Sequence, residues 1–309
     1  MYSQKVLVYG GGLIGAASAI ALAESGDDVT VVTRAPPPQR FNAKRWLFGD
    51  IRTHEFSEIL KGCDAVVYAA GSIAPASQIN SVASALAEQV IPVVALAEAA
   101  AHAGVKAFTF ISSGGTVYGP FARLPSLEQD PTSPINTYGM IKVQTEQALL
   151  EVARRSGMTA AILRVSNPYG PGQSGSRRLG FIAAAVEAVQ QNRPLTIWGD
   201  GSNTRDFVFI DDVADAIVRA TQFRGEKAII NIGSGQSVSL NEVCAIVSKA
   251  AMRELEVRYE PARAVDVHDS ALDISKAARM LGWTATTDLD TGVQMMLGDG
   301  LSLPSGPPA

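Results

Sequence analysis

Short apolar runs alternate with longer Ala-rich or amphipathic stretches through the first half of the chain. The first run, KVLVY at residues 5–9, is apolar without alternation and stops at three glycines, which is typical of a strand buried on both faces. An Ala-rich helix is predicted over residues 13–25 and a second strand over residues 29–33. The same pattern then predicts strands at residues 45–48, 65–69, 108–112 and 160–165, and helices at residues 56–60, 81–102 and 136–155. Strands that alternate with helices predict an α/β fold with a doubly wound parallel sheet covered on both faces.

The sequence changes character after residue 165. Residues 165–178, VSNPYGPGQSGSRR, are rich in Gly, Pro and Ser, and a loop of this length inside a compact domain is usually functional. Beyond it the pattern predicts a helix at residues 181–191, a strand at 195–198, a helix at 213–223 and a strand at 228–232. We therefore expect a sheet domain over residues 1–166 and a smaller cap formed mainly by residues 167–309, with segments near 207–232 returning to the sheet.

Composition excludes several classes of protein. The 309 residues are 47% hydrophobic and 18% charged, which excludes a disordered polar chain. The net charge of −4 is not the cationic footprint of a nucleic-acid-binding protein. The Ala-rich region at residues 81–105 is interrupted by Glu88, Gln89, Glu98 and His102, so we expect no membrane span.

Cysteine and histidine usage argues against disulfides and metal sites. Cys63 and Cys244 are too few for a disulfide framework or a structural zinc site. The three histidines, His54, His102 and His268, stand in unrelated contexts, so no metal is expected. The N-terminal residues lead straight into the first strand without a signal-peptide pattern, and the expected location is therefore the reducing cytoplasm.

A glycine motif stands where the first strand meets the first helix. Gly10, Gly12 and Gly15 have the spacing G-x-G-x-x-G, which permits a tight turn and a close approach of backbone to a pyrophosphate at the helix N-terminus. This context predicts a dinucleotide site. At the end of the second strand, Thr33 and Arg34 replace the acidic residue that would bind a ribose 2′-hydroxyl. An arginine can pair with a 2′-phosphate, which favours NADP; the alternative is that Arg34 is simply solvated.

Tyr138 and Lys142 are four residues apart at the start of the helix predicted at residues 136–155, and they therefore share one helical face. A nearby ammonium favours the tyrosinate, so we expect Lys142 to lower the pKa of Tyr138 towards the range of a general base at neutral pH. Such a pair occurs often by chance, and it acquires meaning only in combination with other motifs.

Further segments complete a recognisable set. They are GGGLIG (10–15), GDI (49–51), SSGGTVYG (112–119), YGMIK (138–142), LRVSNPYGPG (163–172), WGDGSNTRDFVFIDDVADAI (198–217), NIGSGQSVSLNEV (231–243) and LDISKAARMLGW (272–283). Together they resemble the extended short-chain dehydrogenase/reductase family, in its nucleotide-sugar epimerase/dehydratase branch. The resemblance covers nearly the whole chain.

The resemblance implies a Rossmann-type domain, residues 1–166, that holds NAD(P), with NAD as the usual cofactor of the family. The implied cofactor contacts are Gly10, Gly12, Leu13, Ile14, Gly15, Thr33, Arg34, Asp50, Ile51, Ala69, Ala70 and Gly71. Tyr138 would be the catalytic base on a sugar hydroxyl, while Lys142 would bond the nicotinamide ribose and hold down the Tyr138 pKa. A homodimer through the helices around residues 81–102 and 136–155 is also expected; the alternative is that their Ala-rich faces pack within one chain.

The cap is expected, on the same resemblance, to bind a nucleotide-diphosphate sugar. Asn167 and Arg205 match positions that contact the diphosphate. Arg263 and Asp266 match a second phosphate-binding arginine and an acid on the nucleotide ribose. Two alternatives stay open, because Asn167 can cap a turn and Arg205 can pair with a neighbouring aspartate on the surface.

Three departures from the family pattern bear on the reaction. The glycine turn is one residue shorter than the G-x-x-G-x-x-G of this branch. Gly114 stands where a catalytic Ser or Thr is usual, so either Ser113 or Thr116 bonds the sugar hydroxyl or Tyr138 acts alone. Gly115 and Thr116 replace the Asp-Glu pair of the dehydratases, which disfavours a 4,6-dehydratase.

Two enzymatic hypotheses remain. In the favoured one, a 4-epimerase, bound NAD(P)+ takes hydride from C4 of the sugar while Tyr138 takes the hydroxyl proton, and hydride then returns to the other face. In the alternative, NADPH reduces a 4-keto nucleotide sugar once and leaves, which fits Thr33 and Arg34. A non-catalytic dinucleotide-binding protein is the third possibility; Gly114 motivates it, and the intact Tyr138 and Lys142 argue against it.

Overall fold

The structure is a computed structural model that describes residues 3–34, 45–52, 55–71, 81–120, 123–173, 180–225, 228–262 and 268–298. Its strands are β1 (Lys5–Tyr9), β2 (Asp28–Thr33), β3 (Trp46–Phe48), β4 (Ala65–Tyr68), β5 (Ala107–Ser113), β6 (Thr159–Val165), β7 (Asn167–Tyr169), β8 (Leu195–Trp198), β9 (Thr204–Arg205), β10 (Phe207–Phe209), β11 (Ala228–Ile232), β12 (Val238–Ser239) and β13 (Val257–Glu260). Its helices are α1 (Leu13–Glu24), α2 (Phe56–Ile59), α3 (Val82–Gln89), α4 (Ile91–His102), α5 (Gly114–Val117), α6 (Thr137–Ser156), α7 (Phe181–Gln190), α8 (Ile210–Gln222), α9 (Leu240–Ala251), α10 (Ser275–Leu281) and α11 (Leu289–Gly298).

Seven parallel strands form the central sheet in the order β11-β6-β5-β4-β1-β2-β3. The order runs outward in both directions from β1 and β4, so the predicted doubly wound sheet of the Rossmann type is confirmed. In such sheets the crevice beyond the carboxyl ends of the strands, where the order reverses, is the usual ligand site. The turns that follow β1 and β4 therefore define the place to look for a site.

Successive residues of the inner strands point to opposite faces of the sheet and pack in two different hydrophobic cores. In β1, Val6 and Val8 belong to the core that includes α1 and α8, whereas Leu7 and Tyr9 belong to the core under α4 and α6. Both faces of the sheet are therefore dry, which explains why KVLVY is apolar at every position except its first.

The smaller part of the molecule is built from α7, α9 and α11 together with the parallel pair β8 and β13. Its apolar residues join the core on the α1 and α8 face without a break. After α7 and β8 the chain returns to the sheet, where α8 packs on α1 and β11 pairs with β6. The division at residue 166 stays a prediction.

Two expectations for individual elements are wrong. The stretch predicted as one helix at residues 81–102 is two helices, α3 and α4, because Pro92 lies in the first turn of α4 and has no N–H to continue the hydrogen bonding of α3. The loop expected at residues 165–178 contains β7, which pairs in parallel with β10, Asn167 opposite Phe207. A pairing between segments forty residues apart has no local signal that the sequence could show.

The region Val82–His102 is long and apolar enough to cross a membrane by length and composition alone. It is not one continuous helix. Val93, Leu96 and Ala97 of its α4 part are buried in the core under the sheet, and packing within the molecule therefore accounts for part of its apolar character.

Candidate active site

The turn between β1 and α1 has the geometry of a dinucleotide-binding turn. Gly10 adopts a positive φ of 118°, and a Cβ there would lie 2.7 Å from the backbone nitrogen of Ala70. A Cβ at Gly15 would collide with the carbonyl oxygen of Gly10. Gly12, which caps α1, is different, because a Cβ placed on it meets no protein atom within 4 Å. Open space beside the N-terminal N–H groups of α1 fits a pyrophosphate, so the residues present fit a dinucleotide.

A cavity of about 450 Å³ opens beside this turn along the carboxyl edge of β1, β2, β3 and β4. Among the predicted cofactor residues its lining includes Gly10, Thr33, Arg34, Asp50, Ile51, Ala70 and Gly71. The structure thus brings together residues from four separate strand ends. The other predicted contacts, Gly12, Leu13, Ile14, Gly15 and Ala69, lie in or next to the glycine turn and not in the lining.

Two arginines flank Asp50 at one end of this cavity. Arg52 binds the carboxylate with two side-chain bonds, Nε to Oδ1 at 2.9 Å and Nη2 to Oδ2 at 2.8 Å. Nη1 of Arg34 lies 3.9 Å from Oδ2, and the Arg34 side chain is 60% exposed. The hydrogen bonds from Arg52 hold the pKa of Asp50 well below its usual range, so Asp50 stays ionised at neutral pH. The carboxylate organises two guanidinium groups at the cavity wall.

Sequence reasoning missed several residues of this lining, namely Tyr9, Gly11, Tyr68, Arg52, Glu88 and Gln89. Tyr9 and Tyr68 are the last residues of neighbouring parallel strands, and their rings stack with centroids 5.9 Å apart. Their position at two strand ends was a usable signal, because the carboxyl ends of adjacent parallel strands meet at one edge. Glu88 and Gln89 come from α3, and only the tertiary fold brings them to the site.

Tyr138 and Lys142 line a second, smaller cavity that continues the first. The two cavities share Tyr68, Ala70, Gly71 and Gln89. Asn136 caps α6, its Oδ1 accepting a bond from Gly139 N at 2.8 Å, so Tyr138 lies in the first turn of the helix. The Lys142 ammonium donates to the carbonyl of Ile111 at 2.8 Å, at the end of β5. The expected helical face of Tyr138 and Lys142 therefore points to the dinucleotide cavity.

The expected lowering of the Tyr138 pKa is wrong for this state of the protein. Burial raises the pKa of Tyr138, and the hydrogen bond with Ser113 opposes that shift only in part. Lys142 Nζ lies 5.6 Å from the centre of the Tyr138 ring and is engaged by Ile111 instead. Burial also lowers the pKa of Lys142 to about 8, against the opposing effect of Glu146. Lys142 is still charged at neutral pH.

The two hydroxyls that the sequence left open are both close to Tyr138. Ser113, the last residue of β5, lowers the Tyr138 pKa and so opposes the effect of burial. Thr116, in α5, donates from Oγ1 to Ser113 Oγ at 2.9 Å. Ser113 is buried and Thr116 is partly exposed. The two hydroxyls are therefore bonded to each other, and which of them bonds the sugar hydroxyl stays a prediction.

A buried ion pair behind the site was not foreseen. Glu146 lies one turn after Lys142 on α6, and its carboxylate binds Arg164 of β6, with Nη2 2.7 Å from Oε2. The hydroxyl of Ser112 also donates to this carboxylate. The side chains of Glu146 and Arg164 are 0% and 3% exposed, so the pair joins α6 to β5 and β6 inside the core. Lys142 and Glu146 at i and i+4 were the available signal in the sequence.

Of the predicted substrate residues, two are described by the structure. Asn167 lies beside Gly115, and its amide donates to the carbonyl of Asp206 at 2.9 Å. Arg205 donates to the carbonyls of Thr204 at 2.8 Å and His268 at 3.0 Å. Both residues therefore lie next to Asp206. Arg263 and Asp266 lie outside the described residues.

Within the described ranges, no group of three or more His, Cys, Asp or Glu residues is placed to hold a metal ion. The cationic groups named above, with backbone N–H groups, are the elements able to bind phosphate. The site is therefore suited to a nucleotide ligand inside an acidic protein.

The sheet order and the glycine turn define a Rossmann-type, dinucleotide-binding class of protein. The sequence profile of the NAD dependent epimerase/dehydratase family matches residues 6–233. The chain belongs to this family.

Individual relatives agree with this assignment. A UDP-glucose 4-epimerase of Rhizobium meliloti (strain 1021) is 30% identical over 313 residues, 94% of this chain and 94% of its own. A dTDP-4-dehydro-6-deoxyglucose reductase of Escherichia coli is 31% identical over 194 residues, 63% of this chain and 61% of its own. The solved UDP-glucose 4-epimerase of Thermus thermophilus, a complex with NAD, superposes with a TM-score of 0.87 at 27% identity, covering 95% of this chain and 98% of that one.

Proposed function

We propose that this chain is a nucleotide-sugar 4-epimerase that acts on a UDP-hexose with a tightly held dinucleotide. The observation that carries the proposal is that the Tyr138 and Lys142 cavity continues the dinucleotide cavity through shared residues. A proton acceptor beside a hydride acceptor is what oxidation of a sugar carbinol requires. The epimerase of Rhizobium meliloti, matched over 94% of both chains, supports the 4-epimerase assignment.

The dinucleotide would be held by the turn at Gly10, Gly12 and Gly15, and by the strand-end residues that line the larger cavity. When bound, it supplies reversible hydride acceptance at C4 of the sugar. The helix N-terminus at Gly12 would meet the pyrophosphate, and Gly71, whose Cβ position is also open, lies on the way to Tyr138.

Tyr138 takes the proton of the C4 hydroxyl and later returns it. The phenol needs help to ionise, because burial alone raises its pKa, and Ser113 provides part of that help. The Lys142 ammonium, 4.9 Å from the centre of the Phe110 ring, would bind the nicotinamide ribose and hold positive charge near the phenolate. In the cap, Asn167 and Arg205 would meet the diphosphate, with Arg263 and Asp266 assigned by resemblance alone.

The choice between NAD and NADP is a separate part of the proposal. Arg34 and Arg52 both line the cavity end that Asp50 organises. A guanidinium pair at this place supports acceptance of a ribose 2′-phosphate, and hence NADP, whereas the NAD complex of the Thermus thermophilus protein supports NAD.

A second candidate is an NADPH-dependent reductase of a 4-keto nucleotide sugar. The same two arginines favour it, because a reductase needs an exchangeable NADPH, and the Escherichia coli reductase matches 63% of this chain. The candidates differ in whether the dinucleotide stays bound. They share the same family and the same Tyr138.

Release of the dinucleotide tests the proposal directly. The purified protein is denatured, and the supernatant is analysed for NAD(H) and NADP(H). A 4-epimerase releases close to one equivalent and interconverts UDP-glucose and UDP-galactose without added cofactor. A protein that releases none, and oxidises added NADPH with a 4-keto sugar, is the reductase.

Tyr138→Phe is the variant that tests the acid–base role of the phenol. It should keep the fold and bind the dinucleotide, yet lose activity by about 10²- to 10⁴-fold, because the acid–base group is gone. Wild-type turnover by Tyr138→Phe would contradict the assigned base. No conversion of any sugar nucleotide by the wild type would favour a non-catalytic dinucleotide-binding protein.

Two further expectations belong to the proposal. Val82 and Ile91, on α3 and α4, are 49% and 63% exposed apolar residues, which supports a homodimer through these helices. Light scattering of Ile91→Asp should then show a monomer.

Cys63 and Cys244 are buried free thiols, which supports a reducing cytoplasmic location.

A further inference from the structure

Asp206 is a fully buried aspartate between β9 and β10, next to both predicted substrate residues that the structure describes. Its carbonyl oxygen accepts two hydrogen bonds from Asn167, one from the backbone N at 3.0 Å and one from the side-chain Nδ2 at 2.9 Å. The backbone and the side-chain amide of Asn167 are therefore both fixed relative to Asp206.

The Asp206 carboxylate binds three segments of the chain that are far apart in the sequence. Oδ1 accepts from Ser166 Oγ at 3.2 Å and from the backbone N and Oγ of Ser234 at 2.7 and 2.9 Å. Oδ2 accepts from the backbone N of Gly235 at 3.2 Å and of Leu272 at 3.1 Å. One carboxylate thus joins the segment after β6, the segment after β11 and the segment that contains Leu272.

An amide cannot replace this carboxylate. An ionised aspartate accepts hydrogen bonds with both oxygens, whereas asparagine accepts with one and presents N–H groups on the other side. The space around the carboxylate is also closed, because a Cβ on Gly233 would lie 2.5 Å from Oδ2 of Asp206. Buried N–H groups left without an acceptor are costly. The arrangement of the three segments therefore depends on aspartate at this position.

The segment that contains Leu272 also holds the side chain of Arg205. His268, four residues before Leu272, accepts through its carbonyl oxygen from Arg205 Nη1 at 3.0 Å and from the backbone N of Thr204 at 3.1 Å. The same segment is bonded to Asp206 at Leu272. A shift of this segment would therefore move the carbonyl oxygen that fixes the Arg205 guanidinium.

We propose that Asp206 is the positioning residue of the diphosphate subsite, and that it holds Asn167 and Arg205 in the arrangement that binds the phosphates of the nucleotide sugar. The inference deepens the proposed function and rests on it for the substrate contacts of these two residues. Asp206 is buried and negatively charged, so it acts through them and not on the phosphates. None of the bonds described above involves Tyr138. The expected signature is therefore a loss of substrate affinity with turnover nearly unchanged.

Asp212 offers a matched control on the same stretch of chain. It is buried, and its carboxylate accepts from the backbone N and Oγ1 of Thr286 at 3.1 and 2.7 Å and from the backbone N of Thr287 at 3.0 Å. Neither threonine is among the proposed substrate or cofactor contacts. Asp212→Asn therefore disturbs a buried carboxylate of the same kind outside the diphosphate subsite, and both variants should lower the urea midpoint of unfolding.

The first test is the affinity of the dinucleotide-loaded protein for UDP, measured by calorimetry. Asp206→Asn should lower this affinity by about tenfold or more, because two phosphate-binding side chains lose their supports. Asp212→Asn should bind UDP within about twofold of the wild type, and both variants should keep their dinucleotide affinity. In turnover of UDP-glucose, Asp206→Asn should raise KM by about tenfold and change kcat by less than about threefold.

Two milder variants test the same carboxylate without replacing it. Gly233→Ala places a methyl against Oδ2 of Asp206 and should weaken UDP in the same way as Asp206→Asn. Ser166→Ala removes a single donor and should lower the UDP affinity by about two- to threefold. These variants decide the question if Asp206→Asn does not fold.

The second test is amide hydrogen exchange in the protein without UDP. In Asp206→Asn the amides of Gly235 and Leu272 should exchange at least about tenfold faster, whereas Asp212→Asn should leave their rates unchanged. Unchanged exchange at both amides, wild-type UDP affinity in Asp206→Asn, or an equal loss of UDP affinity in Asp212→Asn overturns the proposal. A wild type that binds no UDP would overturn the proposed function, while the exchange rates would still show whether Asp206 orders the segments around Asn167 and Arg205.

Discussion

Glu146, on the helix that carries the proposed base, forms an ion pair with Arg164 that has almost no solvent exposure. The Arg164 fork reaches both oxygens of the carboxylate, with Nη2 2.7 Å from Oε2 and Nε 3.2 Å from Oε1. The guanidinium also lies 4.8 Å from the centre of the Tyr118 ring. Glu146 is one helical turn from Lys142, and the pair connects the helix that carries Tyr138 and Lys142 to β6 of the sheet.

Loss of either partner should therefore destabilise the protein strongly. Arg164→Met leaves a buried carboxylate without its cation, and we expect a loss of about 3–5 kcal/mol in the free energy of unfolding, measured in urea. Arg155→Met breaks an exposed pair with Glu151 and should cost less than about 1 kcal/mol. In Glu146→Gln with Arg164→Met, part of the loss should return because no buried charge is left. Equal losses for Arg164→Met and Arg155→Met would contradict this account.

Alanine at Gly15 and alanine at Gly12 should both weaken dinucleotide binding but should differ in their effect on stability. Gly15→Ala places a methyl against the Gly10 carbonyl, so we expect destabilisation of about 1–3 kcal/mol together with loss of dinucleotide binding. Gly12→Ala meets no protein atom, so the unfolding midpoint should stay nearly constant. Its methyl would stand in the space expected for the pyrophosphate. We therefore expect the affinity for the dinucleotide, measured by calorimetry, to fall at least about tenfold. If Gly12→Ala binds like wild type, the pyrophosphate does not pass over this residue.

Arg34 should discriminate between the two dinucleotides if the cavity end accepts a 2′-phosphate. Arg34→Ala should lower the affinity for NADPH by about tenfold or more, because a charge-assisted hydrogen bond is lost. The affinity for NADH should stay within about twofold. Fluorescence titration with both nucleotides measures this. Arg258→Ala, on the exposed strand β13, is the matched control. Equal weakening of NADH and NADPH would show that Arg34 does not bind at that position.

Dinucleotide affinity should fall as pH rises past neutrality. The pKa of Lys142 is about 8, lowered by burial, so its ammonium is present below that value and is lost as pH rises through it. Between pH 7 and 9 the dissociation constant of the dinucleotide should therefore increase. Lys142→Met should bind more weakly at pH 7 and show a flatter dependence, whereas the exposed Lys106→Met should behave as wild type. An identical pH dependence in Lys142→Met would contradict the role of the ammonium.

Local features of the sequence were sufficient to predict many of the strands and helices of the sheet domain. The glycine turn lies within six residues, and its strand and helix neighbours were correctly expected. Tyr138 and Lys142 needed only the helical repeat to be placed on one face. Periodicity failed at β7, where the strand exists because its partner β10 is forty residues away.

What the sequence by itself determined was therefore the family, from motifs spread along the chain, and the parallel sheet, from local patterns. It also predicted the glycine turn as the dinucleotide site, because that motif lies within six residues. The tertiary structure decided how the proposed base is supported. The Leu272 side chain lies against Gly114, and Arg164 neutralises Glu146. It also decided the direction of the Tyr138 pKa, because desolvation depends on every element packed around the phenol and outweighs the opposing effect of Ser113.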